Sequence, residues 1–148
     1  DRIAIGWAGA VPYMTRAWHF DPWGLNHPEA RDWPFQESGV IFHQRHATWE
    51  MLVEAEVFAV DIFNQFLYPQ PVRPSQKLGQ IMPWAKPGIL VHCLEIPPAK
   101  EGRRPLYWVF ASPRPLEEVE EFARERGLTR RYSVPLPAGR SSSIGAAD

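Results

Sequence analysis

Side chains able to do binding chemistry gather in the first third of the chain: Tyr13, Asp21, Asn26, His43 and Arg45. The apolar run Ile3 to Ala8 ends at Gly9, and Pro12 follows three residues later, so the chain is expected to leave a strand there and turn. That puts Tyr13 and Asp21 on a loop at the carboxyl end of a strand, where α/β sheets usually hold their ligands. A histidine and an arginine beside a carboxylate suit an anionic or hydroxyl-rich ligand such as a phosphosugar or a glycan. The same groups serve equally well as a hydrogen-bond network that fixes a long loop. Taken singly, Tyr13 reads as a packed ring and Asp21 as the cap of a turn before Pro22.

Other chemistries find less support. His43 and His46 stand three apart, a spacing that on a helix would put both imidazoles on one face for a metal. Asp21 or Asp61 could add an oxygen ligand, but the glutamate of a helical metalloprotease motif and a cysteine cluster are both missing, so a metal-dependent hydrolase is the weakest alternative. There is no glycine-flanked serine elbow and no glycine-rich phosphate loop. The lone Cys93 lies inside the apolar run Ile89 to Leu94, where a thiolate is disfavoured. No catalytic residue, metal or cofactor is assigned on these grounds.

The elements that must position these residues fit into one domain. A chain of 148 residues, 45% of them apolar, can bury a real core but not two. The net charge of −1 leaves no basic stripe for a phosphate backbone, so nucleic acid is not an expected partner. Sixteen prolines limit helix length. Seven tryptophans either fill the core or offer flat faces for stacking on sugars. No apolar run reaches the roughly 18 residues that a bilayer span needs. The chain opens on Asp1 with no methionine and no signal peptide, the expected look of a segment from inside a longer protein.

Ile3 to Ala10 and Val57 to Phe63 read as buried strands, with a helix from His46 to Glu56 between them, a βαβ-like unit. Val11 to Trp33 reads as ordered loop with a helical turn near Pro28 to Arg31. Asn64 to Gly88 is proline-rich, with room for a short helix from Ser75 to Met82. Ile89 to Ile96 and Leu106 to Ser112 form the expected antiparallel pair around the turn Lys100-Glu101-Gly102. Pro115 to Gly127 carries early glutamates, late arginines and a terminal glycine, and its stripe of Leu116, Val119, Phe122 and Ala123 should lie on the sheet. Leu128 to Val134 returns as an edge strand. The fold class is therefore α/β: a single domain over residues 1–134, with a mixed sheet of about four or five strands, two main helices and long Pro/Trp-rich loops. Residues 135–148 read as a disordered tail.

Three blocks in order carry a resemblance: Ala8-Gly9-Ala10-Val11-Pro12-Tyr13, then Asp21 with Gly24-Leu25-Asn26, then His43-Gln44-Arg45. The series resembles the extracytoplasmic C-terminal region of multi-pass bacterial C-type glycosyltransferases, including arabinofuranosyltransferase-like and mannosyltransferase-like members. It covers about the first third of the chain. His27 stands where that family usually has a second aspartate, and Phe42 replaces the glycine before the histidine. The resemblance implies an extracytoplasmic domain at the cell membrane that shapes donor or acceptor binding. Its partners would be the membrane-embedded portion of the same polypeptide, a polyprenyl-phosphate sugar and a glycan acceptor. It would use no cofactor and would not turn over alone, because the catalytic acid of such enzymes lies near the membrane segments. Tyr13, Asp21, Asn26, His43 and Arg45 would contact substrate. A stand-alone glycan-binding module is the rival reading, and it needs several tryptophans exposed on one face.

Overall fold

The computed structural model describes residues 2–5, 18–24, 29–33, 46–63, 65, 67–76 and 81–138. They form one mixed α/β unit around a single sheet of seven strands. The strands are β1 (Arg2–Ala4), β2 (Trp18–Phe20), β3 (Ala59–Val60), β4 (Leu67–Tyr68), β5 (Leu90–Ile96), β6 (Leu106–Ala111) and β7 (Thr129–Pro135). The helices are α1 (Trp49–Glu54) and α2 (Leu116–Glu125). The strand order is β2-β1-β3-β6-β5-β7, with β4 also paired to β6. The expected class holds, with two short strands more than anticipated.

The two halves of the sheet run differently. β2, β1 and β3 are mutually parallel, and α1 lies on the crossover from β2 to β3; the βαβ-like reading expected a helix between parallel strands but not the strand β2 inserted between β1 and α1. β6 and β7 flank β5 and both pair antiparallel with it, α2 lying on the crossover that carries the chain from β6 past β5 to β7 on the edge. β3 and β4 both pair antiparallel with β6, Val60 opposite Ala111 and Leu67 opposite Trp108. They are one interrupted strand. Seven residues of chain pass three positions of β6, so the stretch after Val60 must bulge out of the ladder.

Side-chain alternation sorts the strand residues onto two faces. Ala4, Val60, Val91, Cys93, Val109 and Ala111 point into the larger core with Trp49 and Leu52 of α1. Ala59, Leu94 and Phe110 point the other way, onto Val119 and Ala123 of α2. The helices thus cover opposite faces, and the central strands are apolar on both sides.

Local chemistry sets the ends of each helix. α1 begins later than His46 because Thr48 is its N-cap, its Oγ1 accepting from the Met51 amide at 3.3 Å. It ends in a Schellman pair, Glu56 N–H to Val53 O at 3.0 Å and Val57 N–H to Leu52 O at 3.1 Å. That motif puts Glu56 at φ 54°, where glycine is usual. α2 occupies the expected segment, with Pro115 at its N-cap and Gly127 at φ 64° past its end. The long loop expected from Val11 to Trp33 contains a strand, β2. The helix expected from Ser75 to Met82 is, in its described part, only a 3-10 turn over Pro74–Gln76. The folded part continues past 134: β7 runs through Pro135, and buried Leu136 exchanges backbone hydrogen bonds with Gly88 and Ile89 at 2.9 and 2.8 Å. Residues 139–148 lie outside the described residues.

Candidate functional site

Asp21 directly follows β2 and Asp61 directly follows β3, on either side of β1. Ala4 of β1 is in register with both Phe20 and Val60, so the two aspartates stand level at the carboxyl ends of three parallel strands. Two inter-strand spacings separate their backbones by about 10 Å. This is the sheet edge at which open α/β folds place ligands, and it is where sequence reasoning put Asp21.

The Asp21 turn is shaped by its own residues. Asp21 O accepts from Gly24 N–H at 3.0 Å, closing a β-turn with Pro22 second and glycine last. Asp21 Oδ1 also accepts the Trp23 amide at 3.1 Å, an Asx-type contact that rigidifies the same turn. Gly24 is at φ 70°, and a Cβ there would meet the Ala30 Cβ at 2.4 Å. Only glycine lets residues 29–33 pack this close. The turn docks on the segment after the His43-Gln44-Arg45 block, with Ala47 N–H donating to Pro22 O at 2.8 Å.

Three rings close the base of the site. Trp23 lies 5.0 Å from Trp84 and 6.2 Å from His46, both edge-on, and His46 is 6.4 Å from Trp84. Trp84 and His46 are buried. Trp84 Nε1–H donates to Asp61 O at 2.7 Å, which links the aromatic cluster to the end of β3. His46 Nδ1 lies 3.0 Å from the Ala47 carbonyl. His46 is therefore a packed core histidine, not one presented to solvent.

Asp61 is 1% exposed, and its Oδ1 accepts from Phe63 N–H at 3.0 Å and Gln65 N–H at 3.1 Å. Its carboxylate replaces the ladder hydrogen bonds lost where β3 breaks before β4. Its negative charge also adds to the burial that pushes the Tyr68 phenol up to about 12. Asp61 thus organises the bulge, and half-exposed Asp21 is the accessible carboxylate of the two.

Of the five residues expected to touch substrate, Asp21 is placed at the strand ends. Tyr13, Asn26, His43 and Arg45 lie outside the described residues, as does the His43 half of the possible metal pair. Among the described residues no three His, Cys, Asp or Glu side chains gather as a metal site would need. Cys93 is buried, and burial pushes its thiol up to about 11, so it is the inert apolar residue expected. Sequence reasoning missed Trp23 and Trp84 as the frame of the site. Their one signal was proline directly before each, which fixes the backbone next to a large ring. No protein-family model, curated protein or solved structure matches this chain.

Proposed function

We propose that this chain is the extracytoplasmic C-terminal domain of a multi-pass bacterial C-type glycosyltransferase. In this reading it shapes the groove for a polyprenyl-phosphate sugar donor or a glycan acceptor and leaves the chemistry to the membrane-embedded portion. The carrying observation is that Asp21, from the second of three ordered sequence blocks, stands at the carboxyl ends of parallel strands. Its turn is also fastened to the segment directly after the third block. Carboxylate acceptors and aromatic faces are the groups that bind sugar hydroxyls and sugar C–H faces. Trp23, two residues on from Asp21 in the same turn, is only half-buried, which leaves part of its surface open to such a contact.

The rival glycan-binding module finds less support. Among the described tryptophans Trp18 alone is exposed, at 49%, and the Arg2 guanidinium sits 5.1 Å from its ring centre. Trp33, Trp49 and Trp84 are buried. An exposed row for stacking a glycan is not formed by them.

Two experiments test the proposal. The reading frame upstream of Asp1 should encode several apolar segments of about 20 residues; a start codon and signal peptide immediately before it would overturn the reading. In the enzyme containing this domain, Asp21→Asn should raise KM for the donor or the acceptor at least tenfold while the protein stays folded. Unchanged KM for both substrates would remove Asp21 from the groove.

A further inference from the structure

Eight of the twelve described lysines and arginines of this protein lie beside a carboxylate. Arg2, Arg31, Lys86, Arg114, Arg124, Arg126, Arg130 and Arg131 each lie within 4.0 Å of a carboxylate oxygen. Lys100, Arg103 and Arg104 are in no such pair among the described residues, and all three sit on the connection between β5 and β6. Glu101 is the one acid there, so this hairpin tip carries a net +2 in a chain whose net charge is −1.

The tip is built to project these charges. Arg103 N–H donates to Lys100 O at 3.2 Å, and Gly102 at φ 80° takes the left-handed third place that a type II turn requires. Residues 97–104 are all exposed. Beneath the turn an open cleft of about 620 Å³ is walled by Ile96, Pro97, Pro98, Ala99 and Leu106, with Arg103 and Arg104 also lining it. Leu106 is 44% exposed, and so is Leu67 of β4. Leu67 pairs with Trp108, two residues along β6 from Leu106, so both leucines fall on one face of the sheet beside the cationic turn. Apolar side chains within reach of unneutralised guanidinium groups match the interface of an anionic bilayer, where phosphates meet acyl chains. An acidic protein surface would match the charges but would leave the two leucines and the apolar cleft wall unused.

We propose that the tip of the β5–β6 hairpin, residues 97–106 with Leu67, docks on an anionic membrane surface. Arg103, Arg104 and Lys100 engage lipid phosphates, and Leu106 and Leu67 enter the boundary beneath them. This surface is on a different part of the sheet from the Asp21 edge, and its docking holds whether or not the domain serves a glycosyltransferase.

Flotation of the protein with vesicles tests it. Phosphatidylcholine vesicles containing roughly a third phosphatidylglycerol should bind the chain, and pure phosphatidylcholine should not. The double variant R103Q/R104Q should weaken binding about 25-fold, at roughly fivefold for each cation near an anionic surface. Leu106→Ser should weaken binding while retaining its salt dependence. Arg124→Gln, an exposed α2 cation already paired with Glu121, should bind like the parent. No binding, equal binding to both vesicles, or full binding by R103Q/R104Q would each overturn the proposal. Saturable binding of inorganic phosphate without vesicle binding would also overturn it and make the cleft a free-phosphate site. A change in oligomeric state on mutating Leu106 or Leu67, without vesicle binding, would make this face an interface between copies.

Discussion

The two ends of the sheet reach the same burial by different means. On the β6-β5-β7 side, β5 and β6 share six consecutive pairs in register, and α2 lays an apolar stripe across them. On the β2-β1-β3 side no strand has more than three described residues. Strands that short gain little from their own ladder. They persist because side chains hold their ends: Asp61 ties down the bulge, Trp84 ties the bulge to the aromatic cluster, and the Asp21 turn locks onto residue 47. The antiparallel half is a scaffold held by backbone pairing. The parallel half, which carries the candidate site, is held by particular side chains, so its local stability should be lower and more easily altered.

Breaking the scaffold should have the largest effect. Phe110 is fully buried between α2 and the sheet, 4.3 Å from Trp108 and 6.0 Å from Phe58. Phe110→Ala should cost about 3–5 kcal/mol of global stability, measured by urea unfolding. Breaking the site should be milder and local. Gly24→Ala forces a left-handed alanine into the Ala30 side chain and should cost roughly 1–3 kcal/mol. Amide exchange should then rise over residues 18–24 and 29–33 while β5 and β6 keep their protection; uniform loss would show that the halves are not separable.

Acid sharpens the contrast further, because the scaffold hides a histidine. His92 is fully buried on β5, with Nδ1 2.9 Å from Ser133 Oγ. Burial, and then the Arg130 charge, push its imidazole down to about 4. The unfolded chain therefore takes up this proton first, near its ordinary value of about 6.5. The stabilisation is complete above about pH 6.5 and is lost as pH falls towards 4, on the order of 2 kcal/mol by pH 4.5. His92→Gln should flatten the dependence of the urea midpoint on pH across that window; an unchanged slope would assign it to other groups. The smallest effect is expected from the Arg130–Glu120 pair that links β7 to α2 at 2.9 Å with both side chains part-exposed. Glu120→Gln should cost less than about 1 kcal/mol, and less still at high salt.

Legibility follows the same division. β5, β6, α2 and the edge position of β7 could be read because each has its own periodicity, turn glycine or charged cap within one short window. α1 could be read as a helix but not bounded, since Thr48 as cap and Glu56 as left-handed terminus compete with a plausible helical pattern on both sides. β2 and β4 could not be read: three and two residues carry no period. The turn at Asp21 was legible because proline and glycine follow it closely. The supporting role of Trp84 was not, because it depends on a carbonyl 23 residues away.

By itself, then, the sequence determined the α/β class, the βαβ crossover, the antiparallel pair and the terminal helix, since these rest on interactions between residues close along the chain. Tertiary structure alone decided that β3 and β4 are one broken strand, that Asp61 bridges the break, and that His46 and most described tryptophans turn inward. The reason is physical. Those outcomes depend on which surfaces meet across the sheet, and a buried carboxylate, imidazole or indole takes its role from partners supplied by distant segments.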